Sequence, residues 1–213
     1  MTEFTTWRSL VDGEGIIAIP DSSIDNFEWG GPVADRYEGA TSEWEINTDN
    51  PILSGDFSLK QTGSSSDLIF ATESTSDDEP PVTKSQDDTP FNIWRAFGDE
   101  LPDSGAGLIF GLQDSNNFYK AQMSNDSLRL RKSSNGSFDD LASTTFSAVS
   151  NGFYKIEVAE WGAGSDNDEI TIRVEDESEN EIATITGTDS EFENETAVGI
   201  RSSGAGGHVL DGR

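Results

Sequence analysis

Basic residues are scarce in this sequence, so the one segment in which they gather is the first candidate for chemistry. The chain has 13 lysine and arginine residues against 41 aspartate and glutamate residues. Three of the 13 lie within the segment RLRK, as Arg129, Arg131 and Lys132. A guanidinium presents a planar fork of donors that matches anionic groups, so this segment is the first place to expect an anionic partner.

Aromatic and planar polar residues in predicted strands indicate a second kind of site, one for sugars. A sugar is held by flat aromatic faces and planar hydrogen-bonding groups, which strand positions could gather on one sheet. The residues concerned are Trp94, Arg95, Phe118, Tyr119, Gln122, Arg129 and Arg131. The structural alternative stays open, because strand aromatics mostly fill cores and arginines pair with acidic surfaces.

The patterning that must position these residues is that of β-strands. Over residues 107–161, apolar and polar residues alternate between turns rich in Asn, Asp, Ser and Gly, which predicts a meander of antiparallel strands. EITIRVED and NEIATITG predict a hairpin with DESEN at its tip. The whole pattern predicts an all-β protein, an antiparallel β-sandwich over residues 24–213 with about thirteen strands and no helix. Residues 73–89 are expected to form a long mobile loop.

The charge balance limits the class of partner. A formal net charge of −28 repels nucleic acid and anionic membranes, so neither is an expected partner. No apolar run is long enough to cross a bilayer, so no membrane insertion is expected. Acid excess in an otherwise patterned sequence indicates adaptation to molar salt, where repulsion is screened within about 3 Å. The predicted source is a haloarchaeon or its virus. Five tryptophans and twelve phenylalanines argue against an acidic disordered chain.

Several kinds of chemistry are excluded by counting. The chain has no cysteine, which removes disulfides, cysteine metal sites and thiol catalysis. His208 is the only histidine, so histidine clusters are excluded, and no G-x-S-x-G elbow supports a catalytic triad. The opening MTEFTTWRSLVDGEG does not have the pattern of a secretory signal. We therefore expect synthesis in the cytoplasm and export by a route such as virion release.

The order of the strand motifs resembles a known superfamily. An apolar strand leads to the D-x-x-N-F turn at 114–118, then L-x-L at 128–130 and G-F-Y-K-I-E-V at 152–158. Earlier segments supply D-x-F-E, W-x-I and G-x-x-S-L. This order resembles the concanavalin A-like lectin/glucanase superfamily, especially its laminin-G-like and carbohydrate-binding-module branches. The resemblance implies a jelly-roll sandwich.

The resemblance also implies a structural calcium site and raises the question of an enzyme. The matching calcium positions are Glu28, Gly55, Asp56 and Asp211, although a chance match is easy in so acidic a chain. Glucanases of this kind place paired carboxylates on one strand in an E-x-D-x-E pattern. The nearest match, Glu175, Glu177 and Glu179, lies at a predicted hairpin tip, where solvated turn charges are the expectation. The sequence therefore predicts no enzymatic activity and no cofactor beyond calcium.

Residues 1–23 do not follow the strand pattern and are predicted to form an anchoring or oligomerisation arm. Its apolar residues are Trp7, Leu10, Ile16, Ile17 and Ile19. An extra edge strand on the chain's own sandwich is the alternative. W-R-S-L-V-D-G and A-I-P-D-S, ahead of D-x-F-E-W, resemble the start of surface proteins of tailed haloarchaeal viruses.

This second resemblance implies a non-enzymatic component of the virion surface, such as a capsid turret, a spike or a tail fibre. Its expected partners are copies of itself, other virion proteins and a host-surface glycan or glycoprotein. Two alternatives stay open. One is a secreted or cell-surface module of a haloarchaeon that binds or cleaves glycans. The other is a purely structural capsid decoration protein.

Overall fold

The structure, a computed structural model, describes residues 32–35, 37–48, 58–63, 68–71, 89–96, 105–124, 126–148, 152–162, 168–202 and 209–211. The predicted arm, His208 and all of the predicted loop except Thr89 lie outside these residues. The described strands are β1 (Tyr37–Gly39), β2 (Trp44–Asn47), β3 (Ser58–Gln61), β4 (Leu68–Ala71), β5 (Phe91–Ala96), β6 (Ala106–Asp114), β7 (Asn117–Met123), β8 (Ser127–Ser134), β9 (Ser137–Thr145), β10 (Phe153–Trp161), β11 (Glu169–Asp176), β12 (Glu181–Thr188), β13 (Ala197–Arg201) and β14 (Val209–Asp211).

These strands form two antiparallel sheets. Sheet A has the order β1-β4-β13-β6-β7-β8-β9, and sheet B has the order β12-β11-β10-β5-β14-β3-β2. Two short 3-10 turns, Val33–Asp35 and Thr41–Glu43, flank β1. Within the described stretches, no helix is long and apolar enough to span a membrane.

The predicted meander is confirmed for four strands and wrong for the fifth. Strands β6, β7, β8 and β9 are consecutive antiparallel neighbours in sheet A. Strand β10 instead joins sheet B, where it pairs with β5 and β11. Alternation identifies a strand with one buried side, but it does not say which of two sheets the strand enters.

The core lies between the sheets and is centred on aromatic rings from both of them. Phe110 and Tyr119 come from sheet A, and Phe91 and Trp161 come from sheet B. The Phe110 and Trp161 centroids are 5.2 Å apart, and Phe91 lies 6.0 Å from Phe110. These edge-to-face contacts are favourable arrangements for aromatic pairs and join the two sheets directly.

Two hairpin turns of sheet A are linked to each other. In the β6–β7 turn, the Asp114 carboxylate accepts hydrogen bonds from the Asn116 amide and the Asn117 side chain. In the β8–β9 turn, Asn135 and Gly136 both have positive φ angles, 53° and 80°, as an Asn-Gly hairpin turn requires. The Asn135 amide donates to Asn117 Oδ1 at 2.8 Å. The register of β6 to β9 is therefore fixed at this end.

Two glycines of β6 are required by their surroundings. At Gly107, a Cβ atom would collide with the Ala121 carbonyl oxygen of the neighbouring strand. Gly111 has a φ of 55° at a bulge, and a Cβ there would lie 3.0 Å from both the Phe192 carbonyl oxygen and the Tyr119 ring. Larger residues would force β6 away from its neighbours.

Replacing Gly107 with alanine is expected to lower the free energy of unfolding by about 2 kcal/mol, because the methyl group meets backbone rather than a movable side chain. Denaturant unfolding in molar salt measures the change. Gly187→Ala is the control, since its methyl group would meet side-chain carbons of Leu130 and Leu141 at 3.0 Å and should cost less. Wild-type stability in Gly107→Ala would contradict the close approach of β6 and β7.

Candidate functional site

The outward side of sheet A collects four of the residues predicted to bind sugar, namely Phe118, Gln122, Arg129 and Arg131. Gln122 pairs with Arg129 across β7 and β8, and Lys120 pairs with Arg131. Alternate residues of a strand share one side, so Gln122, Arg129 and Arg131 face the same way. The buried residues Ala121 and Leu130 take the opposite side and belong to the core.

Arg131 is held in place by polar contacts on this side. Its Nε donates to Asp140 Oδ1 on β9 at 2.6 Å, and its Nη1 donates to Gln122 Oε1 at 3.5 Å. Arg129 shares the same carboxylate, with Nη1 3.5 Å from Asp140 Oδ2. Arg129 is the more open of the two, because its side chain is 43% exposed and that of Arg131 is 22% exposed.

Two phenylalanine rings lie beneath the guanidinium groups. Phe118 and Phe138 pack edge to face with centroids 5.8 Å apart. The Arg131 guanidinium carbon lies 4.6 Å from the Phe138 centroid. The Arg201 guanidinium carbon lies 5.1 Å from the Phe138 centroid and 5.4 Å from the Phe118 centroid. Cation–π contacts of this kind restrict where each guanidinium plane can point.

The contact between Arg201 and Phe138 shows that sheet A is concave on this side. Their strands, β13 and β9, are four strand spacings apart, about 19 Å in a flat sheet. An arginine and a phenylalanine side chain standing on a flat sheet would not meet across that gap. We call this concave surface the arginine–phenylalanine face; it comprises Phe118, Gln122, Arg129, Arg131, Phe138 and Arg201.

One row of paired residues crosses this face. The register places Arg201 opposite Gly107, Gly107 opposite Gln122, and Gln122 opposite Arg129. Gly107 has no side chain, and the position of its missing Cβ is taken up by the Ala121 backbone. The row therefore brings planar polar groups from three strands onto one side of sheet A.

Arg201 differs from the other two arginines in its electrostatic surroundings. Among the described residues it forms no ion pair with a carboxylate, whereas Arg129 and Arg131 share Asp140. Burial, with a further contribution from the charge of Arg131, lowers the pKa of Arg201 from its ordinary value. The guanidinium of Arg201 is thus a partly buried charge that is affected by a second positive charge, that of Arg131.

Sequence reasoning missed Phe138 and Arg201. Phe138 follows the Asn-Gly turn and pairs with Ser133, so extension of the alternation from β8 into β9 would have placed it on this side. Arg201 is brought there by the pairing of β13 with β6, a contact between residues more than 80 positions apart. No local pattern signals that pairing.

Tyr119 and Lys132 were expected in the binding sites and lie elsewhere. Tyr119 is fully buried in the core, so its ring is not open to a sugar. Its hydroxyl donates to Asp189 Oδ1 at 2.6 Å and accepts from the Phe192 amide. Lys132 pairs with Asp189 and Glu191, on the side of β8 opposite to Arg131. This network closes one end of the sandwich and leaves Lys132 out of the arginine–phenylalanine face.

The remaining predicted sugar residues and the carboxylate series do not converge. Trp94 and Arg95 lie on β5 of sheet B, and their side chains are outside the described part of the structure. Glu175 is not a solvated turn charge as expected; it is buried at the end of β11 and pairs with Lys155 and Arg173. Glu177 and Glu179 are exposed in the following turn, as predicted.

The predicted calcium ligands lie mostly beyond the described residues. Glu28, Gly55 and Asp56 are outside them, and Asp211 lies on β14, where its backbone pairs with Trp94. The described ranges hold no group of three or more potential metal-ligating side chains. Calcium binding at these positions stays a prediction.

The Tyr119–Asp189–Lys132 network makes a prediction about acid stability. Burial opposes ionisation of Asp189, but hydrogen bonds from Lys132 and Tyr119 outweigh it and hold its pKa below the ordinary value. A carboxyl group with a lowered folded-state pKa stabilises the fold above its unfolded-state pKa. This contribution is lost as the pH falls through the folded-state pKa.

We therefore expect Asp189→Asn to lower the free energy of unfolding near neutral pH by about 1 to 3 kcal/mol, with the deficit shrinking below about pH 4. Thermal unfolding across a pH series measures both effects. Glu193→Gln is the matched control, because Glu193 is exposed in the neighbouring turn. A deficit that stays constant down to pH 2 would contradict the assigned role of the carboxylate.

Comparison with known proteins identifies the architecture. The chain matches no protein-family model and no curated protein. Its structure is similar to the carbohydrate-binding module CBM66 from Bacillus subtilis, with a TM-score of 0.50 and 16% identity over 79% of this chain and 92% of that one. Peanut lectin gives a TM-score of 0.49 and 13% identity over 85% and 90% of the two chains.

The exoplasmic/lumenal domain of VIP36 gives a TM-score of 0.45 and 12% identity over 79% of this chain and 81% of that one. At 16% sequence identity, the similarity to CBM66, with its TM-score of 0.50, concerns the fold alone. With two antiparallel sheets and a fold similar to that of CBM66, the chain has a jelly-roll β-sandwich fold of the concanavalin A-like type, which confirms the predicted fold class.

Proposed function

We propose that this chain is a non-enzymatic glycan-binding module and that the arginine–phenylalanine face holds the sugar. The observation that carries the proposal is the stacking of Arg131 and Arg201 on Phe138, on the concave side of sheet A. A concave surface with ordered planar donors suits a polyhydroxylated ligand. Similarity of fold to a carbohydrate-binding module supports the proposal only at the level of architecture.

The rings in this face support the arginines, which differs from the sugar stacking expected from the sequence. Phe138 is in contact with two guanidinium groups, so the donors themselves form the surface. Each guanidinium has five N–H donors. Of the partners in the described part of the chain, Asp140 accepts from Nε and Gln122 from Nη1 of Arg131, and we propose that its other donors bind pairs of neighbouring sugar hydroxyls. Fixed donors bind with less loss of side-chain entropy than free ones.

The arrangement of carboxylates supports a role without catalysis. Retaining glycosidases hold two carboxyl groups about 5 Å apart across the scissile bond. Of the series in the predicted hairpin tip, Glu175 is engaged by Lys155 and Arg173, and Glu177 Oε1 accepts from the Phe153 amide. Glu179 has a left-handed φ of 62° in the turn. These three side chains do not form an acid and nucleophile pair.

We further propose that the module is displayed on the surface of a haloarchaeal virus, as a turret, spike or tail fibre protein. The net charge of −28 supports a molar-salt habitat, and the opening residues resemble virion surface proteins. Residues 1–23 would then join copies of the chain to one another and to other virion proteins. A cell-surface module of a haloarchaeon uses the same face equally well. Detection in purified virions, as opposed to cell envelopes, separates the two.

Binding of the labelled protein to haloarchaeal cells and their isolated surface glycans, in molar salt, tests the glycan-binding function. We expect the wild-type protein to bind cells and glycans saturably. The Arg131→Ala variant lacks the guanidinium donors and the contact with Phe138, so we expect it to bind at least tenfold more weakly.

Lys60→Ala is the matched control, because it removes a cation from sheet B, where Lys60 lies 3.9 Å from Glu45. Folding of both variants is checked by thermal unfolding. Failure of folded wild-type protein to bind cells or glycans would overturn the proposal and favour purely structural decoration of a capsid.

The calcium ion implied at Glu28, Gly55, Asp56 and Asp211 has its own test. Chelation in molar salt is expected to lower the melting temperature, and added Ca²⁺ to restore it, because a ligand bound only by the folded state stabilises that state. Glu28→Gln should abolish the response to chelation. An unchanged melting temperature in the wild-type protein would remove calcium from the proposal.

A further inference from the structure

Counted over the described residues, the arginine–phenylalanine face has more positive than negative charge, which is opposite to the chain as a whole. Three guanidinium groups lie on it, from Arg129, Arg131 and Arg201. Among the described residues, Asp140 is the one carboxylate that pairs with any of the three. The chain has 41 acidic residues available for such pairing. The surplus of guanidinium groups is therefore a specific feature of this face.

We propose that the ligand of this face is an anionic glycan, one that carries carboxylate or sulfate groups. The inference rests on the glycan-binding function proposed above and names its substrate class. A neutral sugar would engage the donors of Arg201 but would leave its charge without a counter-ion among the described residues. A carboxylate or sulfate beside Arg201 would accept bidentate hydrogen bonds from its guanidinium and bring a negative charge to it.

The placement of Arg201 supports an anion over a neutral ligand. Its guanidinium is partly buried and stacks on the same ring as Arg131, so two like charges share Phe138. Burial and the charge of Arg131 both act against the protonated form and lower its pKa. An anion between the two arginines would turn this repulsion into attraction on both sides. A guanidinium in this position is arranged to gain more from a charged partner than from a hydroxyl group.

The overall charge of the chain makes the proposal sharply testable. A net charge of −28 repels polyanions, so non-specific attraction of the kind shown by basic proteins does not operate here. In molar salt the long-range repulsion is screened within about 3 Å, whereas contacts in a partly buried site are screened much less. Retention of a polyanion by this protein in high salt therefore requires a specific site.

Dextran, carboxymethyl-dextran and dextran sulfate provide a matched series with one backbone and three chemistries. Each polymer is immobilised, and binding of the full chain is measured by biolayer interferometry in about 2 M KCl, where the Debye length is near 2 Å. We expect binding to one or both charged polymers at an affinity at least tenfold above that for dextran. The better of the two charged polymers identifies whether carboxylate or sulfate is preferred.

Two variants locate the site. Arg201→Gln is expected to reduce binding to the charged polymer at least tenfold, and Arg201→Lys to restore only part of it, because lysine keeps the charge without the planar fork. Arg129→Gln, at a more exposed position, should weaken binding without loss of folding. Lys60→Gln removes one charge from sheet B and should leave binding unchanged.

The outcomes separate this inference from the function on which it rests. Equal binding to dextran and its charged derivatives, or full binding by a folded Arg201→Gln variant, would overturn the anionic ligand. Binding to cell-surface glycans that is lost in Arg131→Ala but not competed by either charged dextran would also overturn it, while the glycan-binding function stands. No binding to cells or to any polymer would overturn both.

Discussion

The register of β7 against β8 is the constraint on which the rest of the structure depends. Positions on one side of this pair must fill the space between the sheets, and Ala121, Met123, Leu128 and Leu130 there have no exposed surface. The other side carries Gln122, Arg129 and Arg131. A slip of one residue would send arginines into the core and leucines into solvent. The core and the proposed binding face are consequently two sides of one pairing.

The linked turns at the ends of these strands explain how that register is held. The hydrogen bond from the Asn135 amide to Asn117 Oδ1 joins the β8–β9 turn to the β6–β7 turn. The curvature of sheet A then brings together side chains from strands that do not touch, as Arg201 and Phe138 show. Local pairing sets which residues face outward, and the bending of the whole sheet decides which of those residues meet.

The sequence alone was enough to predict the features that depend on the alternation of apolar and polar residues and on the residues of turns. Alternation and the polar turns between the segments predicted β6 to β9 and the sandwich, and alternation in β7 and β8 was enough to place Gln122 with Arg129 and Arg131. It did not reveal that Tyr119 belongs to the core. Every position of β7 after Asn117 is buried, so burial on both sides hides the direction of the alternation.

Other misses arose from contacts between distant parts of the chain. Glu175 was expected to be solvated because it stands near a turn, but Lys155 and Arg173 on sheet B provide partners that local sequence does not show. The sheet chosen by β10 and the approach of Arg201 to β6 are likewise decided by long-range pairing. The alternation of residues within a strand indicates which of them lie on each side. It does not identify the strands that pair with it.

The contact between β9 and β12 has a consequence for how separate molecules avoid aggregation. These strands are the outermost members of sheets A and B, and an outermost strand offers unpaired backbone groups to another molecule. Many proteins protect such edges with charge, a defence that molar salt weakens by screening. Here Gly187 of β12 lies so close to Leu141 of β9 that a single added methyl group would meet it at 3.0 Å. On this flank, the close packing of Gly187 against Leu141 holds the two edge strands against each other by shape, a constraint that salt does not screen.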